Sequence, residues 1–222
     1  MRKPALLKKY GHCRPAPALL HLLALGLLIA SVWGCGKPPT LVQKYILEYP
    51  SPPITSQARI DEVLKVETFS VAQAYNSTAM VYQPTPFKSE TYAYHRWRVN
   101  PGNLASDYLL RDLRNSGLFK AVLAAASAGG SSRFLLEGGV EEFQEIDEPD
   151  GWKAALALNI TLLDLNQTEV PKRVVFQKNY RAVEPMTEQT PRGLAEGLSR
   201  ALASLSAQII TDIYQGAKSA GK

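Results

Sequence analysis

Residues 19–35 constrain most strongly what the chain can fold into, because they determine which residues remain after a leader is removed. Apolar residues fill 19–32 except at His21 and Ser31, and the residues before this run carry five basic side chains and no acidic one. This arrangement is typical of a signal peptide. The run is shorter than the roughly 20 apolar residues that a membrane-spanning helix needs. We therefore expect residues 1–34 to be a leader that is removed.

The leader ends at a motif that resembles the bacterial lipobox. Val32 stands three positions before Cys35, and the small Gly34 stands directly before it. Trp33 departs from the pattern, which prefers a small residue at that position. Cys35 is the predicted lipid-attachment site, and as the new N-terminus it would carry a diacylglycerol and a further acyl chain such as palmitate. Each buried methylene contributes about 0.8 kcal/mol, so three chains would anchor the protein stably. The alternative is an uncleaved signal anchor in which Cys35 is an ordinary thiol.

The leader also dominates the composition. The formal charge of +5 comes from its basic residues, and the rest of the chain carries 20 basic and 20 acidic side chains. This balance gives no reason to expect a nucleic-acid partner. Cys35 and His95 are the only cysteine and histidine left after residue 34. We therefore predict no catalytic, cofactor-binding or metal-binding residue, since a disulfide or a multi-histidine metal site cannot form and a Ser-His-acid triad has one candidate base.

The remaining length suits one domain. We expect a signal peptide at 1–34, a lipidated N-terminus and proline-containing tether at 35–42, one folded domain at 43–216 and a disordered tail at 217–222.

Two helices are predicted from their end signals. Asn100 and Pro101 are a typical N-cap and first residue, and Gly117 is a typical stop. Thr190 precedes a Pro at the start of a second helix, which we expect to end near Tyr214. Its leucines and isoleucines recur every three or four residues, which gives it one apolar face.

The rest of the domain predicts strands. Segments in which apolar and polar side chains alternate, or in which aromatic residues are frequent, lie at 43–49, 63–71, 80–83, 90–94, 118–123, 133–146, 152–165 and 174–183. Turn-forming residues at 147–151 join two of them into a long antiparallel hairpin. The predicted fold is an α+β single-domain sandwich of a largely antiparallel sheet, with two helices packed on one face and the other face freer.

Three groups of residues are candidate sites. An acidic run could form a calcium site or a carboxylate pair, although it lacks the ligand spacing of a calcium loop and is interpreted as a solvated turn. His95, beside two arginines, could bind an anionic head group or be structural. Six aromatic residues could form a contact surface or pack in the core. The acidic run is Glu141, Glu142, Glu145, Asp147, Glu148 and Asp150; the aromatic residues are Tyr75, Tyr82, Phe87, Tyr92, Tyr94 and Trp97.

The order of features resembles the ABC-type transport auxiliary lipoproteins, the group that includes the lipoprotein of the paraquat-inducible operon. The resemblance rests on the lipobox Cys35, a Tyr-x-Leu strand at Tyr45, a Trp shortly before the Asn100 cap and the motif Ser-Gly-Leu-Phe at 116–119. It covers nearly all of the chain from Cys35 to Tyr214. The family has no catalytic signature, so only Cys35 carries over as a functional residue.

The resemblance implies a role without catalysis. Such proteins accompany ABC transporters with a mammalian-cell-entry (MCE) component, which move phospholipids or other lipids through the Gram-negative envelope. Gly36 follows Cys35, where enterobacterial lipoproteins retained in the inner membrane carry Asp, so the outer membrane is expected. We predict a lipid-anchored protein on the periplasmic face that docks an MCE-domain protein through the free sheet face or an exposed edge. Assembly into a homo-oligomer is left as a further option. The alternatives are an independent lipid carrier and a cell-envelope hydrolase.

Overall fold

The computed structural model describes residues 40–54, 57–127 and 131–221. Cys35, the predicted leader and most of the tether lie outside these residues. The domain is α+β, as predicted. Nine strands and three α-helices follow one another along the described part of the chain: β1 (Gln43–Tyr45), β2 (Ile60–Val66), β3 (Ser70–Val71), β4 (Ala79–Thr85), β5 (Lys88–Trp97), α1 (Pro101–Ser116), β6 (Phe119–Ala124), β7 (Phe134–Glu148), β8 (Gly151–Asp164), α2 (Val170–Arg173), β9 (Val174–Pro185) and α3 (Pro191–Ala220).

The sheet is built around β7. One side of β7 pairs along its whole length with β8, which pairs in turn with β9, and both pairings are antiparallel. The other side of β7 pairs in succession with β2, β3 and β4, all parallel. Beyond these, β6 pairs with β2, and β5 and β1 follow β4. The longest pairings are therefore antiparallel, in a sheet that also contains parallel strands.

Both predicted helix starts form as the sequence indicates. The side chain of Asn100 accepts a hydrogen bond from the Gly102 amide, and that of Thr190 accepts one from the Gly193 amide. Gly117 ends α1 with a left-handed backbone, at φ +65°, which glycine adopts without strain.

The two long helices pack on one face of the sheet, and the apolar residues of β8 meet them there. Leu156, Leu158, Ile160 and Leu162 are fully buried. A Cβ atom on Gly197 of α3 would lie 2.5 Å from the Cβ atom of Ala154, so a glycine is needed for this close approach. Among the described residues, no helix is long and apolar enough to cross a membrane.

A buried carboxylate ties the helices to the segment after β1. Asp112 of α1 accepts hydrogen bonds from the hydroxyls of Tyr49 and Ser51, and one from Ser206 of α3. The backbone amide of Glu48 donates to a serine hydroxyl on α3. The first strand was predicted to reach residue 49, but it ends at Tyr45 because the next residues bond to the helices instead.

Two further boundaries differ from the prediction. The strand expected at 63–71 is two strands, because Phe69 between them turns its ring onto the backbone at Gly138. The tail expected to be disordered from 217 is helical through Ala220. Ala217 is buried, and the guanidinium of Arg133 donates to the carbonyl of Ala220, so this last turn is tied to the domain.

Candidate functional site

The chain enters the domain from a defined direction. β1 runs parallel to β5, with Gln43 opposite His95. At Gln43 the chain therefore runs in the same direction as β5, away from the turn that joins β4 and β5. The predicted lipid site at Cys35 lies outside the described residues and stays a prediction.

The acidic run does not form a common site. Glu142 pairs with Arg181, at 2.7 Å, and Lys153 pairs with both Glu148 and Asp150, at 2.5 and 3.0 Å. In residues 40–54, 57–127 and 131–221, no group of three or more His, Cys, Asp and Glu side chains is placed to hold a metal ion. The exposed Glu148 and Asp150 agree with a solvated turn.

Glu145 is the exception to that interpretation, because it is fully buried. A bulge in β7 between Val140 and Glu142 shifts the alternation of the strand, so that Glu145 points to the helix-covered face. Its Oε2 atom accepts a hydrogen bond from the hydroxyl of Tyr92 at 2.8 Å. Burial raises the pKa of Glu145 to about 7, and the nearby Asp147 carboxylate adds to the rise.

His95 packs between two tyrosine rings. Its Nδ1 atom lies 3.0 Å from the hydroxyl of Tyr45, and its ring meets the ring of Tyr92 edge to face. The guanidinium of Arg96 donates to the carbonyls of Tyr92 and His95. These contacts support the structural interpretation of His95. They also place it against tyrosines, whereas a hydrolytic triad would require a serine and a carboxylate.

The six aromatic residues divide between core and surface. Trp97 is buried against Phe143, with ring centroids 5.0 Å apart. Tyr82 and Tyr92 form a half-buried pair with centroids 4.9 Å apart, and Tyr75 packs against the core. Phe87 and Tyr94 are exposed. The packing interpretation therefore holds for most of the group, and only Phe87 and Tyr94 remain available for contact.

The sheet face opposite the helices carries polar side chains along β7, β8 and β9. We call it the open face and define it by Glu137, Asn159, Thr161, Gln177 and Asn179. These residues share one side because they follow the two-residue alternation of paired strands. Asn159 donates to Asn179 across the pair, at 2.6 Å. A depression of about 460 Å³ lies on this face beside Gly138 and Gly139.

The open face ends at a long free edge. β9 pairs with β8 and with no other strand of the described residues. Its 12 residues therefore present unpaired backbone groups on one side, which can accept a further strand. The sequence predicts a partner surface on the free face or at an exposed edge. In the structure the open face and the free edge of β9 lie side by side.

Comparison with known proteins agrees with this architecture. A family model described as the ABC-type transport auxiliary lipoprotein component matches residues 45–210. No curated protein matches the chain. A crystal structure of a DUF330-family protein from Xanthomonas campestris is 19% identical with a TM-score of 0.72, and the match covers 81% of this chain and 99% of that one.

Two further solved structures show weaker likeness. An uncharacterized protein is 16% identical at a TM-score of 0.60, with 78% of this chain and 99% of that one covered. A hypothetical protein from Chlamydia trachomatis is 10% identical at a TM-score of 0.49, with 71% and 98% covered. The structural likeness concerns the fold, and the family match spans most of the chain. This chain belongs to the ABC-type transport auxiliary lipoprotein family.

Proposed function

We propose that the protein is an outer-membrane lipoprotein that docks the periplasmic part of an MCE-type ABC transport system, without catalysis of its own. In this role it holds the end of a lipid conduit at the outer membrane. Cys35 supplies the anchor and the α+β domain supplies the docking surface. The proposal is supported by the family to which the chain belongs and by the expected sorting signal at Gly36.

The observation that carries the docking role is the contrast between the two sheet faces. One face is closed by α1 and α3 over a buried apolar core. The open face is polar and adjoins the free edge of β9. A partner can therefore add a strand at this edge and extend over Gln177 and Asn179, both exposed.

The independent-carrier alternative requires a cavity suited to acyl chains. The depression beside Gly138 and Gly139 is open to solvent and lined by Glu137, Asn159, Thr161 and Gln177. Ligand cavities for apolar molecules are lined mainly by hydrophobic side chains. This depression therefore suits contact with a protein backbone better than retention of a lipid.

Site-specific photo-crosslinking in the envelope tests the docking surface. A photoreactive amino acid at Asn179, on the open face, should crosslink to an MCE-domain protein because the partner lies against β9. The matched control is the same substitution at Gln208, which is exposed on α3. Crosslinking from Gln208 and none from Asn179 would move the partner to the helix side and contradict the proposal.

A further inference from the structure

The β4–β5 turn carries an unusual residue. Phe87 has φ +68° and is the only residue other than glycine with positive φ in the described part of the chain. This backbone conformation is strained for a bulky side chain, and glycine or asparagine would adopt it at lower cost. The side chain of Phe87 is also fully exposed, so it contributes nothing to the core. Neither folding nor turn geometry accounts for a phenylalanine here.

A second hairpin ends beside the first. β4 and β7 run parallel, with Gln83 opposite Ile146, so the β4–β5 and β7–β8 turns lie at the same end of the domain. A depression of about 320 Å³ between them is lined by Thr85, Pro86, Ile146 and Pro149, among others. Trp152, just after the second turn, is 38% exposed. We call this end, with Phe87, Pro86, Pro149 and Trp152, the hairpin-tip end.

The two lysines at the hairpin-tip end are each paired with carboxylates of the protein. Lys88 contacts Glu90, and Lys153 contacts Glu148 and Asp150. Pro86, Phe87 and Pro149 are exposed at the turns. Tryptophan is enriched where a protein meets the boundary of a lipid bilayer, and segments that lie in this boundary also present phenylalanine to it. Because both lysines already contact carboxylates of the protein, such contact would not depend on anionic lipid.

The direction of β1 agrees with this end. Gln43 lies opposite His95, and Lys88 lies at most about 23 Å away along β5, at roughly 3.3 Å per residue. The chain between Cys35 and Gln43 can span about 27 Å when extended, at roughly 3.4 Å per residue. The acylated cysteine can therefore reach the level of Phe87. Leu41 and Val42, which enter from this side, are exposed as well.

We propose that the hairpin-tip end is a membrane-contact site, at which Phe87 and Trp152 enter the interface of a zwitterionic phospholipid bilayer. This inference rests on the Cys35 anchor of the proposed function and adds the orientation of the domain. The acyl chains hold the protein to the membrane, and the two aromatic tips fix which end faces it. The α2 end, where β9 begins at Val174, then faces away from the bilayer.

Quenching by brominated lipids tests this orientation in the full-length lipidated protein. Two variants are compared in phosphatidylcholine vesicles, Phe87→Trp and the control Val174→Trp, each combined with Trp152→Phe. Trp97 is buried in both. The two test positions lie at opposite ends of the sheet, about 36 Å apart on the length of β8 at roughly 3.3 Å per residue. Replacing the lipid by its acyl-brominated form should lower the emission from position 87 and leave that from position 174 unchanged.

The outcomes separate the orientation from the anchor. Unchanged emission from position 87, or equal loss from both positions, in protein that sediments with the vesicles would overturn the membrane-contact site and leave the anchor intact. Protein that does not sediment with the vesicles would overturn the anchor and this orientation together. Neither result depends on whether an MCE-domain protein is the partner, which the crosslinking experiment decides.

Discussion

At the scale of single residues, Glu145 is the side chain whose environment departs most from its sequence context. It lies in an acidic run near a hairpin turn, yet it is fully buried and bonded to Tyr92. Its Oε1 atom and the Oδ1 atom of Asp147 are buried without a hydrogen-bond partner among the residues that the structure describes. Burial of the Glu145 carboxyl and the nearby Asp147 carboxylate both raise the pKa of Glu145 and so favour its protonated form.

This environment predicts a pH-dependent stability. The pKa of Glu145 is raised from 4.5 to about 7 by burial, so between these values the folded state holds a proton that the unfolded state has released. The stability that this protonation contributes to the folded state is therefore fully present below pH 4.5 and is lost as the pH rises through 7. Glu145→Gln should consequently gain stability relative to the wild type as the pH is raised from 4.5 to 7.5.

Denaturant unfolding at a series of pH values measures this difference. Glu148→Gln, at an exposed position of the same hairpin, is the matched control and should follow the wild type. A free-energy difference between Glu145→Gln and the wild type that stays constant over this range would show that Glu145 does not titrate with a raised pKa.

At the scale of elements, α3 supplies much of the core. Its apolar stripe includes Leu198, Leu202, Leu205, Ile209 and Ile213, all buried. Leu205→Asp places an unpaired charge among them and should destabilise the domain by about 4 kcal/mol. Gln208→Asp, at an exposed position of the same helix, should have little effect. Thermal unfolding checks both variants. An unchanged midpoint for Leu205→Asp would show that the stripe is not part of the core.

The sequence predicted elements whose signals are local. The caps at Asn100 and Thr190 and the turn at 147–151 depend on neighbouring residues, so their patterns could be recognised directly. Helix α3 continues beyond its predicted end at Tyr214 because Gly216 packs closely against Phe176 and Val175. A Cβ atom on Gly216 would lie 3.1 Å from each of these side chains. That contact comes from a distant strand.

Features set by non-local pairing could not be predicted. The parallel pairings of β7 with β2, β3 and β4 join segments far apart in the chain, and alternation within each strand does not reveal its partner. The bulge near Glu141 reverses which residues of β7 face the helices. The position of Glu145 in the interior follows from that bulge, which no local pattern indicates. Its acidic neighbours alone therefore suggested a solvated turn.

At the scale of the whole molecule, the proposed anchor at Cys35 would hold the domain at the membrane. Cys35→Ser should yield unlipidated protein that leaves the membrane fraction or accumulates as a precursor, because the acyl chains provide the attachment. Mass spectrometry of the wild-type N-terminus should find an acylated Cys35. An unmodified Met1, or cleavage at another position, would contradict the lipobox interpretation.

The docking role also makes a genetic prediction, since a component that acts only through a transporter has no effect without it. The most direct measurement is envelope permeability in strains lacking this gene, the MCE-type transporter, or both. We expect each single deletion to give the same defect and the double deletion to be no worse. An additive defect in the double deletion would contradict the docking role and favour a lipid carrier that acts independently.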